Sequence, residues 1–241
     1  MKTEALERLG VLCVVAALLL GGCSTMPPSR LRIDEPGRAG SNGFSVRYPT
    51  TLMSVEDVGW KPAHRPNGPQ GLMAPHWECK VKLREKTAAS KQKLKGDMTG
   101  LVWMESNADR KNLKYAHGPD GPFANAAHMF EGLNRNLEFP WGNATSFVTI
   151  WANGHTGLRA NNEDLRYVVK GRTRDGRWWV TGMFPIAHPK LPRDWDDPHA
   201  KSKDDGDYEK DGTRISRFSP ESFAPPMSVY DKIIGSLTFP K

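Results

Sequence analysis

Three cysteines in 241 residues, Cys13, Cys23 and Cys79, are too few for the disulfide framework that staples small exported domains. They also rule out a cysteine-based zinc site. Long apolar runs are missing too. The stretch Leu9 to Leu20 is built from Leu, Val and Ala with one Cys and one Gly, and falls short of the about 20 residues a membrane-spanning helix needs. There is no Gly-x-Ser-x-Gly elbow, no His-Glu-x-x-His helix, no phosphate-binding loop, no dinucleotide fingerprint and no internal repeat. The familiar signatures of hydrolases, zinc proteases, NTPases and dehydrogenases are therefore absent.

The short apolar run does fit the core of a cleavable export signal. It ends in Leu20-Gly21-Gly22-Cys23, and Met26-Pro27-Pro28-Ser29 follows, where proline prevents a helix from continuing. The tetrapeptide resembles a lipobox. That resemblance implies a signal peptide over residues 1–22, a diacylglycerol and a further acyl chain such as palmitate on Cys23, and, with Ser24 rather than Asp next, sorting to an outer membrane. One departure is the n-region, where Glu4 and Glu7 offset Lys2 and Arg8. Each buried methylene contributes about 0.8 kcal/mol and two chains hold a protein stably on a bilayer. The expected address is the periplasmic side of that membrane, where nucleic acid is not a natural partner.

Loss of residues 1–22 removes two basic and two acidic side chains, so the mature chain keeps the formal charge of +7. Residues 23–42, rich in Pro, Gly, Ser and Arg, read as the lipidated cysteine and a tether. Residues 43–241 read as one domain large enough to bury its own core. Its only cysteine, Cys79, shares a strand face with Trp77, Val81 and Leu83, opposite Glu78, Lys80, Lys82 and Arg84. On an apolar face a thiol is inert, and exposed it would be reactive or pair between chains.

Alternation places strands at Phe44–Pro49, His76–Lys86 and Ala144–Ala152, the wholly apolar Leu101–Met104 reads as a strand covered on both faces, and the clearest strand pair is Leu165–Thr173 with Arg177–Pro185. Asp175-Gly176 supplies the positive φ angles of a tight hairpin between the last two. Trp178 and Trp179 fall on opposite faces there, so both sides of the sheet need cover. Pro122 opens a helical spacing of Phe123, Ala126, Ala127, Phe130, Leu133 and Leu137. A second helix starts near Pro226 and carries Tyr230, Ile233, Ile234 and Leu237. The expected fold is α+β, a mainly antiparallel twisted sheet covered by about two helices.

The opening Gly43-Phe44-Ser45-Val46-Arg47-Tyr48-Pro49 and the closing Tyr230-Asp231-Lys232-Ile233-Ile234-Gly235-Ser236-Leu237 are similar to the two ends of PsbP/Mog1/DcrB-like domains. Leu165-Arg166-Tyr167 through Phe184-Pro185-Ile186 looks like secreted bacterial proteins of the same kind. The resemblance implies a binding or assembly module and brings no catalytic residues and no cofactor.

Two charged features are candidate sites. Lys80, Lys82, Arg84 and Lys86 share one strand face, with Lys91, Lys93 and Lys95 beyond, and could meet anionic head groups or an acidic partner protein. On an edge strand the same lysines would simply block strand addition. The segment Asp194 to Asp211 holds Asp194, Asp196, Asp197 and His199, weak candidate ligands for a hard cation. Asp207-Tyr208-Glu209-Lys210-Asp211-Gly212 partly imitates a calcium loop, but Phe218 stands where the bidentate Glu belongs. Interleaved Lys201, Lys203 and Lys210 point instead to a self-neutralised, mobile loop. His188, with His155, would complete a constellation for metal-assisted hydrolysis. Asn143-Ala144-Thr145 matches a glycosylation acceptor that has little meaning in a lipobox-bearing chain. The leading expectation is a non-catalytic, lipid-anchored binding module of the cell envelope. An immunity protein against an envelope toxin and a metal-assisted hydrolase are the alternatives.

Overall fold

The computed structural model describes residues 36–62, 75–84, 99–108, 127–152, 159–200 and 208–241. Cys23, Lys86 and His155 lie outside them, as does the start of the expected first helix. Among the described residues no helix is long and apolar enough to cross a membrane.

Strands β1 (Pro36–Ser41) and β2 (Phe44–Pro49) form a hairpin, and β3 (Met53–Lys61), β4 (His76–Leu83), β5 (Thr99–Ser106), β6 (Ala127–His128), β7 (Gly132–Phe139), β8 (Gly142–Ala152), β9 (Leu165–Thr173) and β10 (Trp178–Pro185) form an eight-stranded sheet. The order is β3-β4-β5-β10-β9-β8. β7 and then β6 lie along the outer side of β8, and every pairing is antiparallel. Two meanders, β3 to β5 and β7 to β10, are thus joined at the β5–β10 ladder. With two helices on this sheet, the fold is α+β.

Helix α1 spans Tyr208–Ile215 and α2 spans Met227–Gly235. Tyr230, Ile233 and Ile234 of α2 are buried, which is the face their spacing marks out. The Tyr230 ring stacks on Phe184 with centroids 4.4 Å apart, and its hydroxyl donates to the Pro185 carbonyl at 2.6 Å. Gly182 makes the approach possible, since a Cβ there would come within 2.6 Å of Ile234 Cδ1. On the same inner face Trp77, Cys79, Val81 and Leu83 of β4 are almost wholly buried, as their alternation requires.

Three expectations are corrected. Gly132–Phe139 is a strand rather than a helix, because Leu133, Arg135, Leu137 and Phe139 point inward and Asn134, Asn136 and Glu138 outward. Arg135 at an inward position hides that alternation. Leu133, with φ of +55°, sits at a register shift that no helix would tolerate. Part of the expected tether is β1, closed onto β2 by Asn42 and Gly43 with φ of +52° and +82°. Asn-Gly favours such a turn. The expected mobile acidic loop is interrupted by α1. In the β9–β10 connection only Gly176, at φ +68°, takes a positive φ.

Strand β2 meets the segment that follows α2. Ser45 of β2 pairs with Thr238 through backbone hydrogen bonds in both directions, and the Arg47 N–H donates to Ser236 Oγ at 2.8 Å.

Candidate binding groove

The outer face of the sheet, away from α2, carries a groove of about 600 Å³ across β7, β8, β9 and β10. Cross-strand register builds it in two rows. One runs Glu138, Asn143, Arg172, Trp179, and the other runs Asn136, Thr145, Lys170, Thr181. Alternation along each strand turns these side chains outward while Leu137, Tyr167 and Val180 turn inward. The Arg172 guanidinium lies over the Trp179 ring at 5.7 Å, within cation–π range, and donates to the Gly176 carbonyl at 3.0 and 3.2 Å. Lys170 Nζ lies 5.3 Å from the Phe147 ring centre. The Trp179 indole N–H donates to Asn107 Oδ1 at 3.2 Å, which fixes the ring. Glu138 faces Arg174 at 3.3 Å.

The lysine face of β4 is arranged differently from the expectation. β4 is paired on both sides, with β3 and β5, so it is no edge strand. Lys80 Nζ lies 3.2 Å from Glu78 and Lys82 Nζ 3.1 Å from Glu56, while Arg84 Nε donates to the Thr50 and Met53 carbonyls at 2.8 and 3.3 Å. The charges are largely answered within the sheet.

The acidic segment is committed to its own backbone. Asp194 is only 1% exposed; its Oδ1 accepts from the N–H groups of Asp196 and Asp197, and its Oδ2 from Arg193 Nε at 2.9 Å. Asp197 accepts from the N–H groups of His199 and Arg193, which hold its carboxyl below the usual range. Asp211 is wholly buried and accepts from Ala160 N–H at 2.6 Å and from Arg159 at 3.0 Å. Among the described residues no three His, Cys, Asp or Glu side chains gather as a metal site.

His188 is buried, stacked on Phe218 with centroids 3.8 Å apart, and its Nε2 lies 3.1 Å from Ser222 Oγ. The pair has the geometry of a nucleophile and base but the wrong polarity. His188 Nδ1 accepts from the Lys190 N–H at 3.2 Å, so the neutral ring carries its proton on Nε2. The Ser222 hydroxyl donates to the Ser219 carbonyl at 2.6 Å. Nε2 therefore donates to Ser222 and cannot take its proton, and Nδ1 receives a donor where a catalytic triad places a carboxylate acceptor. Burial, reinforced by Lys190 and Arg214, pulls the His188 pKa down to about 4.

Sequence reading missed the groove residues because they lie on four strands, and only the cross-strand register brings them together. The one available signal was Trp179, opposite Trp178 in the hairpin. No family model, no curated protein and no solved structure matches this chain.

Proposed function

We propose that this chain is an exported lipoprotein, anchored through acyl chains on Cys23 in an outer membrane and facing the periplasm, where it acts as a non-catalytic binding or accessory module. The groove on the outer sheet face carries the binding part of this reading: cations, carboxamides, a hydroxyl and an indole converge there on rigid strands, as small-ligand and partner sites require. The polarity of the His188–Ser222 pair and the backbone duties of Asp194 and Asp197 favour binding over hydrolysis. The resemblance to PsbP/Mog1/DcrB-like domains agrees with this. Two of the segments that bear it, residues 43–49 and 230–237, touch where the Arg47 N–H donates to Ser236 Oγ.

Two measurements in the host cell test the two halves. Radiolabelled palmitate should enter the native chain and not a Cys23→Ser variant, and that variant should leave the outer-membrane fraction. Normal retention of the unlabelled variant would refute the anchor. A photoreactive residue in place of Thr145 should trap a ligand or partner, whereas a folded protein that traps nothing there would remove the binding reading.

A further inference from the structure

We infer that the outer-face groove is a site for an extended acidic saccharide, a chain of hexose rings bearing carboxylates. This rests on the binding-module reading and specifies its ligand.

Spacing is the first argument. Neighbouring strands lie about 4.8 Å apart, roughly one hexose ring, so a glycan laid across β7, β8, β9 and β10 meets fresh side chains at each sugar. The two rows flank such a chain, with Asn143 and Arg172 on one side and Asn136, Thr145 and Lys170 on the other. The carboxamides of Asn136 and Asn143 and the Thr145 hydroxyl make no hydrogen bond with other described residues, and all three are exposed. Carboxamides and hydroxyls both donate and accept, which matches the mixed character of sugar hydroxyls.

Charge is the second. Lys170 and Arg172 stand two residues apart on the same face of β9, in the middle of the groove. The partner of Arg172 is a carbonyl, and no carboxylate among the described residues pairs with it. Its remaining N–H groups can hold a carboxylate in the forked geometry that makes such bonds strong. Glu138 is the acid lining the groove, and it faces Arg174. The Trp179 ring edge and the aliphatic stems of Lys170 and Arg172 supply apolar strips for the C–H faces of sugars.

A peptide fits less well. Backbone groups of β8, β9 and β10 are engaged in ladders on both sides, so an added strand finds no edge at this face.

The test is calorimetry on the full chain in mild detergent, with hexagalacturonate as the acidic probe and cellohexaose as its neutral counterpart. Hexagalacturonate should bind saturably and cellohexaose at least about tenfold more weakly, the contribution of one charge-assisted hydrogen bond. The Lys170→Gln/Arg172→Gln pair should lose about tenfold or more in affinity for the acidic probe. Asn143→Ala, which leaves the neighbouring turn untouched, should weaken both probes. Lys82→Gln, which removes one positive charge on the same face outside the groove, should leave binding unaltered. Absence of saturable binding by folded protein, equal affinity for the two probes, or an equal loss from Lys82→Gln would each overturn the saccharide inference. A protein adduct at position 145 without sugar binding overturns the saccharide and keeps the binding module; neither adduct nor sugar binding removes both.

Discussion

The Tyr167 hydroxyl on β9 donates to the carboxylate of Asp231 on α2, and Arg135 on β7 donates to the two oxygens of that carboxylate at 3.1 and 3.0 Å. Three elements far apart in sequence are thereby pinned at one point. Arg135 Nε is buried with no partner, so the cluster depends heavily on Asp231. Asp231→Ala would leave a partly buried guanidinium without its counter-charge and a buried phenol without its acceptor, and should lower stability by about 3 kcal/mol. Tyr167→Phe keeps the ion pair and should cost about 1 kcal/mol. Urea unfolding of the two variants checks the order, and equal losses would show that the carboxylate is not the hub.

His188 makes stability depend on pH in a stated direction. Its folded pKa, about 4, lies below the ordinary value of 6.5, so the unfolded chain takes up a proton first on acidification. The contribution is complete above pH 6.5 and is lost as the pH falls toward 4, up to about 3 kcal/mol. Thermal melting of the native protein should fall across that window, and His188→Gln should flatten this part of the slope. An unchanged slope would contradict the assignment.

Cys79 is wholly buried, and burial, aided by Asp57 and Glu78, pushes its thiol up to about 12. Since the thiolate is the nucleophile, native protein should resist alkylation at this residue at mildly alkaline pH. Peptide-resolved mass spectrometry after iodoacetamide should find Cys79 unlabelled in the folded protein and labelled in guanidinium. Rapid labelling of the folded state would disprove its burial.

Gly182→Ala should destabilise the seat of α2 by about 1–3 kcal/mol, because the new methyl overpacks against Ile234 and Phe184. Ile234→Val deletes the Cδ1 atom that lies 2.6 Å from the added Cβ. The double variant should therefore lose less than the sum of the singles, which chemical denaturation of all four proteins would measure. Simple additivity would mean that α2 does not press on Gly182.

Much of the sheet was legible from side-chain alternation. Phe44–Pro49 and Leu165–Thr173 are strands with the boundaries read from sequence, and His76, Leu101 and Trp178 each lie in a strand where one was expected. The failures share a cause. Arg135 occupies an inward position because Tyr167 and Asp231 receive it, and Asp211 is buried because Ala160 and Arg159 meet it. A polar residue whose partner comes from another element looks misplaced in its own segment. Ser41-Asn42-Gly43 did carry a hairpin signal, but the surrounding Gly, Arg and Ser made β1 look like linker.

By itself the sequence determined what depends on near neighbours: the strand faces that bury Trp77, Cys79 and Val81, the amphipathic α2, and the α+β class that follows from them. Tertiary structure decided what depends on register and on distant partners. Pairing of β7 through β10 aligned Asn143, Thr145, Lys170, Arg172 and Trp179 into one groove, and the Lys190 N–H chose the His188 tautomer. Local periodicity reports which side of an element is wet, whereas a site is made of side chains that only a particular set of backbone hydrogen bonds brings side by side.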